Sequence, residues 1–270
     1  MPAFESGAYA DLMDGLTTIS MSAAAAIRRV QKEGTVRIKG DGSPVTPADE
    51  ASEAMIRDGL ARLAPVLPII SEEQAEHDKP TVETRSYFLV DPLDGTREFL
   101  AGRDEYAINI ALVTNGAPIL GIITAPARNL IWRGIVGRGA ERLEFAGGKA
   151  SQPNEIHTRP CPESELIVMV SRSHLEARTR AYLEGFPQTK LVQCGSSVKL
   201  CHVAEGTADL YARLAPTHDW DIAAGHAILR AAGGRMIAPD GAPPIYGTAD
   251  LLVPAFLAWG DPRSASPITG

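Results

Sequence analysis

The sequence predicts a mixed α/β protein in two parts, and two patterns along the chain carry this prediction. Between residues 107 and 139, apolar runs of strand length are separated by tight turns, and Asn115-Gly116 is the strongest short signal for a β-hairpin. Beyond residue 162, strand-like and helix-like runs alternate, which is typical of α/β units. A loop rich in Gly and Pro separates the two patterns. We therefore expect an N-terminal α+β domain over residues 1–155 and a C-terminal α/β domain over residues 156–270.

Two helices are predicted ahead of the first sheet, and they should pack on one of its faces. Apolar residues recur at three- and four-residue steps from Leu12 to Val30, which predicts one long helix. Thr46 is a good N-cap for a second helix, Pro47 suits its first position, and Asp49 falls at N3. The residues support two roles for Asp49 equally: compensation of the helix dipole, or a carboxylate held near a metal by the rigid first turn.

The stretch from residue 87 to residue 99 carries the main functional signal. Strand-forming residues lead into Asp91, where we expect the strand to end because Pro92 fixes φ and has no N–H for a ladder. Asp91 and Asp94 then lie close together past a buried strand end, and burying two anions there is costly unless cations neutralise them. Mg²⁺ prefers such oxygen ligands and commonly brings phosphate oxygens with it. The alternative for this segment taken alone is a solvated turn.

Three further segments supply carboxylates or groups that bind anions. Glu72 follows a short predicted strand, and it lies level with Asp91 if the two strands are neighbours; otherwise it belongs to a solvated loop. Residues 195–199 place a glycine, two serines and a lysine at a predicted helix start, where backbone N–H groups bind anions. An ordinary serine N-cap is the alternative there. Asp221 lies in the first turn of an Ala/Gly-rich helix, either as a cap or as a carboxylate that completes a metal site between two lobes.

These carboxylates, together with the Thr96 hydroxyl, predict metal-assisted phosphoryl hydrolysis, in which metal ions ionise a water and neutralise phosphate oxygens. The sequence shows no Cys or Ser nucleophile beside a positioned base. The net charge of −7, with no basic run longer than Arg28-Arg29, disfavours binding to a nucleic-acid polymer. Three cysteines without a C-x-x-C motif, the lack of a signal peptide and the lack of an apolar run of membrane-spanning length predict a cytoplasmic protein.

Four ordered motifs give the chain a resemblance to a known superfamily. Asp91-Pro92-Leu93-Asp94-Gly95-Thr96 and Trp220-Asp221-Ile222-Ala223-Ala224-Gly225 resemble the two signatures of the inositol monophosphatase-like, lithium-sensitive phosphatases. Residues 45–49 and 71–73 match in the family's order and approximate spacing, so the resemblance covers about residues 39–234. It implies a layered αβαβα sandwich of the inositol monophosphatase/fructose-1,6-bisphosphatase type. It also implies Mg²⁺-dependent hydrolysis of a phosphomonoester, inhibited by lithium.

The resemblance also implies a role for each matched residue. The implied metal ligands are Glu72, Asp91, the Leu93 carbonyl, Asp94 and Asp221. The implied catalytic residues are Asp49, Glu72 and Thr96, which would orient and deprotonate the attacking water. The implied substrate-binding residues are Gly95, Thr96, Ser173, His174, Gly195, Ser196, Ser197, Lys199 and Asp221.

Within the superfamily, Thr96-Arg97-Glu98-Phe99 resembles the Thr-Lys-Glu-Phe of the bacterial 3′(2′),5′-bisphosphate nucleotidases, which remove the 3′-phosphate of adenosine 3′,5′-bisphosphate. Arg97 departs from the usual lysine, and Val253-Pro254-Ala255-Phe256 departs from the usual Asn-Pro-x-Phe. Inositol monophosphatase and histidinol-phosphate phosphatase therefore stay as alternatives. A catalytically silent regulatory protein of the same fold is the alternative of another class, although unpaired buried carboxylates would only cost such a protein stability.

The family resemblance finally implies cofactors and partners. We expect two or three Mg²⁺ ions per site and a small-molecule phosphate ester as substrate. We also expect a monomer or a homodimer. Peripheral association with the inner membrane stays open.

Overall fold

Two β-sheets with helices packed on their faces form the framework of the protein. The computed structural model describes residues 6–30, 36–38, 40, 42, 44–74, 84–172, 175–186 and 188–265. The α-helices of this described part are α1 (Ser6–Arg29), α2 (Pro47–Leu63), α3 (Thr96–Leu100), α4 (Ala177–Glu184), α5 (Val198–Ala204) and α6 (Asp219–Ala231). Its strands are β1 (Arg37–Ile38), β2 (Pro44–Val45), β3 (Ile69–Ser71), β4 (Ser86–Asp94), β5 (Ala107–Thr114), β6 (Ala117–Ala125), β7 (Leu130–Ile135), β8 (Gly139–Ala146), β9 (Lys149–Ala150), β10 (Asn154–Ile156), β11 (Leu166–Ser171), β12 (Thr189–Cys194), β13 (Leu210–Arg213), β14 (Thr217–His218), β15 (Arg235–Ile237), β16 (Leu252–Val253) and β17 (Phe256–Trp259).

The first sheet is built from consecutive hairpins, as the sequence predicts. Its strand order is β10-β8-β7-β6-β5-β4-β3, with β9 paired to β8, and every pair from β4 to β8 is antiparallel. Strand β3 lies parallel to β4, and Ser71 is opposite Val90. The strands that precede Glu72 and Asp91 are therefore neighbours, which confirms the condition on which the pairing of these two carboxylates depends.

The prediction that the strand ends at Asp91 is wrong. Strand β4 continues to Asp94, and Asp91 is opposite Asn109 on β5. The register shifts between Asp91 and Asp94, and pairing resumes where Asp94 faces Ala107. Pro92 falls inside this irregularity, where no ladder hydrogen bond is required of it, so its missing N–H does not terminate the strand.

Helices α1 and α2 cover one face of the first sheet. Their buried side chains, such as Leu16, Ile27 and Ile56, share a core with Phe88 of β4. Helix α2 begins as the sequence predicts, because the Thr46 side chain accepts a hydrogen bond from the backbone N–H of Ala48 and Pro47 occupies the first turn.

Helices α5 and α6 cover the opposite face and lie between the two sheets. Helix α6 approaches β6 so closely that a Cβ atom at Gly121 would lie 2.2 Å from the carbonyl oxygen of Ala224. On its other side the same helical layer packs against the second sheet through residues such as Tyr211 and Phe256.

The second sheet has the strand order β12-β11-β13-β17-β15. Strands β12, β11 and β13 are parallel, whereas β17 lies antiparallel between β13 and β15. Helix α4 covers the outer face, where Leu183 packs with Val168 and Val170. The layers are thus α1 and α2, first sheet, α5 and α6, second sheet, and α4. This arrangement confirms the expected αβαβα class.

Strand β10 spans the expected domain boundary between residues 155 and 156. It pairs with β8, so Ile156 belongs to the first sheet. Strands β8, β9, β10 and β17 were not predicted from the sequence. The division of the chain at this position remains a prediction.

Candidate active site

A cavity of about 790 Å³ opens where β4 and α3 meet the loop before α5, the end of β13 and the start of α6. Most of the site residues expected from the sequence line it: Glu72, Asp91, Leu93, Asp94, Gly95, Thr96, Gly195, Ser196, Ser197, Lys199 and Asp221. Ser173 and His174 lie outside the described residues. The two sheets therefore contribute to one cavity, although the segments that line it are far apart in the sequence.

The irregular end of β4 holds three of these residues in a fixed arrangement. The backbone N–H of Leu93 donates to the Oδ1 atom of Asp91 over 3.0 Å. The hydroxyl of Ser52 on α2 donates to the Pro92 carbonyl oxygen over 2.7 Å. Asp91 is only 1% exposed. These bonds fix the bulge and leave the second carboxylate oxygen of Asp91 outside the turn.

Asp49 lies behind the cavity wall and reaches the site through Thr96. The hydroxyl of Thr96 lies 3.1 Å from the Oδ1 atom of Asp49 and 3.2 Å from the Leu93 carbonyl oxygen. The Oδ2 atom of Asp49 accepts from the backbone N–H of Thr46 at 2.8 Å and from its hydroxyl at 2.6 Å. The carboxylate thus closes a capping box with one oxygen and contacts the Thr96 hydroxyl with the other. Its capping role is observed, and its role near a metal stays a prediction.

Gly95 connects β4 to α3 and has a backbone that suits glycine alone. Its φ of +94° lies in the left-handed region, and a Cβ atom there would approach the Glu105 carbonyl oxygen to 2.9 Å. The turn brings Thr96 directly behind Asp94. The expected role of Gly95 and Thr96 in binding the substrate remains a prediction.

Burial and mutual repulsion both disfavour the charged forms of the carboxyl groups in the cavity. Burial, and then the charges of Glu72, Asp94 and Asp221, raise the pKa of Asp91 well above its ordinary value. Burial also raises the pKa of Asp94, against the nearby positive charge of Lys199, and raises that of Asp221. Asp91 is buried and the other three carboxylates are half-buried, so their combined negative charge favours a bound cation, because a buried anion without a partner is strongly destabilising.

The donor set fits Mg²⁺ in its chemistry. All candidate ligands are oxygen atoms, which Mg²⁺ prefers. Besides Asp91 and the Leu93 carbonyl, two more of these ligands accept hydrogen bonds from the protein: the Oδ2 atom of Asp94 accepts from the backbone N–H of Ser197, and that of Asp221 accepts from the Thr217 hydroxyl. Within the described ranges, no three carboxylate, imidazole or thiol groups enclose a position for a metal without moving. Glu72, Asp91, Asp94, Asp221 and the Leu93 carbonyl would hold such an ion, whose charge would offset that of the carboxylates.

The helix expected to start at Ser196 begins two residues later. Helix α5 starts at Val198, because Ser196 adopts a left-handed backbone with φ of +48°. Lys199 is 4% exposed, donates from Nζ to the Ser196 carbonyl oxygen and lies 5.1 Å from the Tyr211 ring centroid. The segment is therefore a tight loop whose lysine braces it, and the hydrogen bond from Ser197 ties it to Asp94.

Three contributors to this region were not identified from the sequence. Glu105 accepts from both Nε and Nη2 of Arg172, at 2.9 and 2.6 Å, and from the Gly195 N–H at 2.7 Å. Asn109 accepts from the Ser197 hydroxyl at 2.6 Å. Arg213 lines the cavity at the end of β13. Of these three residues, only Asn109 could have been found from its neighbours in the sequence, because it is a polar residue within an apolar strand. The roles of Glu105 and Arg213 depend on contacts with residues distant in the sequence.

The fold and the cavity agree with comparisons to known proteins. Residues 10–265 match the model of the inositol monophosphatase family, and the chain therefore belongs to that family. The 3′(2′),5′-bisphosphate nucleotidase CysQ of Shigella flexneri is 41% identical over 243 residues, which cover 87% of this chain and 94% of that protein. The protein of the same name from Escherichia coli strain K12 is 40% identical over the same shares of both chains.

Solved structures show the same relationship. The crystal structure of CysQ from Bacteroides thetaiotaomicron superposes with a TM-score of 0.77 at 30% identity, covering 96% of this chain and 99% of the other. An inositol monophosphatase from Anabaena superposes with a TM-score of 0.73 at 25% identity, covering 92% and 90%. In the part of the chain that the structure describes, no helix has the length and apolar character needed to cross a membrane.

Proposed function

We propose that the protein is a phosphatase that hydrolyses the 3′-phosphate ester of adenosine 3′,5′-bisphosphate. The observation that carries this proposal is the convergence of Glu72, Asp91, Asp94 and Asp221 on one cavity, in a chain about 40% identical to bisphosphate nucleotidases over most of its length. The reaction consumes one water, breaks the phosphorus–oxygen bond to the ribose and yields adenosine 5′-monophosphate and phosphate.

The metal site of this proposal consists of Glu72, Asp91, Asp94, Asp221 and the Leu93 carbonyl. Bound Mg²⁺ would supply the positive charge that lowers the pKa of a coordinated water and neutralises phosphate oxygens. The chain's own contribution is to hold four carboxylates at one end of the cavity, with Asp91 fixed by the Leu93 N–H. We propose that two or three Mg²⁺ ions bind at this site and that lithium inhibits the hydrolysis.

Proton transfer is assigned to the pair of Thr96 and Asp49. The Thr96 hydroxyl lies at the cavity wall and contacts the Oδ1 atom of Asp49. It can accept a proton from the attacking water while its own proton passes to Asp49, a relay typical of general base catalysis. Burial raises the pKa of Asp49, which makes its carboxylate a stronger base. Glu72 completes the proposed catalytic set.

A substrate panel tests the proposed function. Hydrolysis of adenosine 3′,5′-bisphosphate, inositol 1-phosphate and histidinol phosphate is measured with Mg²⁺, with and without Li⁺. We expect the highest kcat/KM for the bisphosphate and inhibition by Li⁺. A preference for the inositol ester or for histidinol phosphate would replace the proposed substrate, and Mg²⁺ binding without turnover of any ester would support a regulatory protein instead.

The remaining expectations are part of the same proposal. A small-molecule phosphate ester is the proposed partner, and the proposed assembly is a monomer or a homodimer. Gel filtration with light scattering measures the assembly. The proposed location is the cytoplasm, and fractionation of cells distinguishes it from peripheral association with the inner membrane.

A further inference from the structure

Glu105 lies where two glycine turns of the cavity wall meet. A Cβ atom at Gly95 would lie 2.9 Å from the Glu105 carbonyl oxygen, and a Cβ atom at Gly195 would lie at the same distance from that oxygen. Gly95 precedes α3 in the first half of the chain, whereas Gly195 belongs to the loop before α5 in the second half, and both line the cavity. The backbone of Glu105 therefore fills the space between two cavity segments that are far apart in the sequence.

The side chain of Glu105 binds the second of these turns. Its Oε2 atom accepts from the Gly195 backbone N–H over 2.7 Å and from Nε of Arg172 over 2.9 Å, while Oε1 accepts from Nη2 of Arg172 over 2.6 Å. The Glu105 side chain is 12% exposed, so water screens these contacts little. A fork of charge-assisted hydrogen bonds is stronger than neutral ones, and it keeps the pKa of Glu105 below its ordinary value.

Arg172 connects this carboxylate to the second sheet. It directly follows β11, and its Nη2 atom also donates to the Gln193 carbonyl oxygen on β12 over 3.2 Å. Its backbone N–H donates to the Cys194 carbonyl oxygen over 3.3 Å. These bonds lie at the ends of β11 and β12, immediately before Gly195. The ion pair of Arg172 with Glu105 therefore joins the two halves of the chain beside the cavity.

The loop held by this ion pair contributes directly to the cavity. Gly195, Ser196 and Ser197 line its wall. Ser197 donates from its backbone N–H to the Oδ2 atom of Asp94 and from its hydroxyl to Asn109 over 2.6 Å. Ser196 has a left-handed backbone, which costs a residue other than glycine about 1–3 kcal/mol. The loop therefore needs contacts from outside to keep this conformation.

We infer that Glu105 and Arg172 are positioning residues, which hold the loop of residues 195–199 in the conformation that receives the substrate. This inference rests on the proposed function. Among the described residues neither of the two lines the cavity, so they act through the loop. A loop that leaves this conformation for part of the time lowers the apparent affinity by the fraction that stays competent. Bound substrate orders the loop again, so the loss should appear in KM rather than in kcat.

Kinetics test the inference on the phosphate ester that the wild-type protein hydrolyses best. Glu105→Gln should raise KM about tenfold and keep kcat within about threefold, because a hydrogen bond to a charged group is commonly worth this factor. Arg172→Lys should raise KM by less, because it keeps the charge without the fork. Asp104→Asn is the matched control: it breaks the exposed ion pair of the adjacent residue with Arg128 and should leave KM unchanged.

Hydrogen exchange measures the hold on the loop without any substrate. Peptides that cover residues 195–199 should exchange about tenfold faster in Glu105→Gln than in the wild type or in Asp104→Asn, whereas peptides from β7 should not change. An unchanged KM, an unchanged loop exchange, or equally faster exchange in β7 would overturn the inference. If the loop alone exchanges faster but the wild type hydrolyses no phosphate ester, the proposed function fails and the hold of Glu105 on the loop stands.

Discussion

The Thr96 hydroxyl donates to the Oδ1 atom of Asp49 over 3.1 Å and so joins the start of α3 to the first turn of α2, across 47 positions of the chain. The same Asp49 carboxylate closes the capping box of α2. Catalytic geometry and helix stability therefore depend on one side chain, and substitutions at the two ends of this hydrogen bond should have different effects.

Thr96→Val should lower kcat by about 10²- to 10³-fold, because the hydroxyl that receives the proton from water is lost while the volume is kept. Thr96→Ser retains the hydroxyl and should stay within about tenfold of the wild type. Steady-state kinetics at saturating Mg²⁺ measure both variants. Thr18→Val on the exposed face of α1 is the control. Equal activity of the Val and Ser variants would remove Thr96 from the mechanism.

Asp91→Asn should stabilise the metal-free protein and abolish its response to Mg²⁺. The substitution removes one of four mutually repelling charges and keeps the oxygen that accepts from the Leu93 N–H. We therefore expect a gain of about 0.5–2 kcal/mol in the free energy of unfolding in EDTA, the range that an improved arrangement of charges commonly gives. Urea denaturation with and without Mg²⁺ measures both effects.

Asp58→Asn is the matched control for this experiment, since Asp58 lies on the exposed surface of α2 and forms a salt bridge with Arg62. It should change stability by no more than about 0.5 kcal/mol and leave the Mg²⁺ response intact. A full Mg²⁺ response in the Asp91→Asn variant would contradict the assignment of Asp91 as a metal ligand.

Gly121→Ala should destabilise the protein by about 2–3 kcal/mol, because the new methyl group has no room between β6 and the Ala224 carbonyl oxygen. Since α6 carries Asp221 in its first turn, displacement of the helix should also lower kcat. Thermal unfolding and kinetics measure the two effects. Gly7→Ala, which meets open space on α1, should leave both unchanged. Wild-type stability of Gly121→Ala would show that α6 shifts freely.

Stability should decline at alkaline pH through His202. Contacts with the Cys194 thiol and then with the Glu205 carboxylate raise the pKa of His202 from 6.5 to about 9. Folding thus favours the protonated ring, and this contribution is complete below about pH 6.5 and is lost as the pH rises through about 9. We expect His202→Gln to remove about 2 kcal/mol of this pH dependence.

The comparison is made on the free energy of unfolding between pH 6.5 and 9.5. His157→Gln, at a ring whose side chain is 65% exposed, controls for the loss of an imidazole. An identical decline in the wild type and in His202→Gln would assign the alkaline sensitivity to other groups.

Local rules predicted those features that depend on residues near each other in the sequence. The N-cap at Thr46 and the hairpin at Asn115-Gly116 follow from short-range backbone preferences, and the structure confirms both. The sequence placed Glu72 level with Asp91 only on the condition that β3 and β4 are neighbours. No local pattern fixes which strands are neighbours, so this pairing was not itself predicted.

The wrong predictions concern features that depend on residues far apart in the sequence. Pro92 did not end β4, because a register shift supported by Ser52 from α2 accommodates it. The left-handed backbone of Ser196 displaced the start of α5, and its neighbour Gly195 is held by Glu105 from the other half of the chain. Strand β17 was missed, although it completes the second sheet. Each of these features depends on contacts that distant segments impose.

The placement of the cavity between the two sheets has an evolutionary consequence. The carboxylates Asp91 and Asp94 come from β4 of the first sheet, whereas Arg213 comes from β13 of the second, where Tyr211 of β13 meets Phe256 of β17 edge to face. Substitutions in the second sheet can therefore reshape one wall of the cavity while the strand that carries these two carboxylates stays unchanged. The two walls of this single cavity can evolve separately.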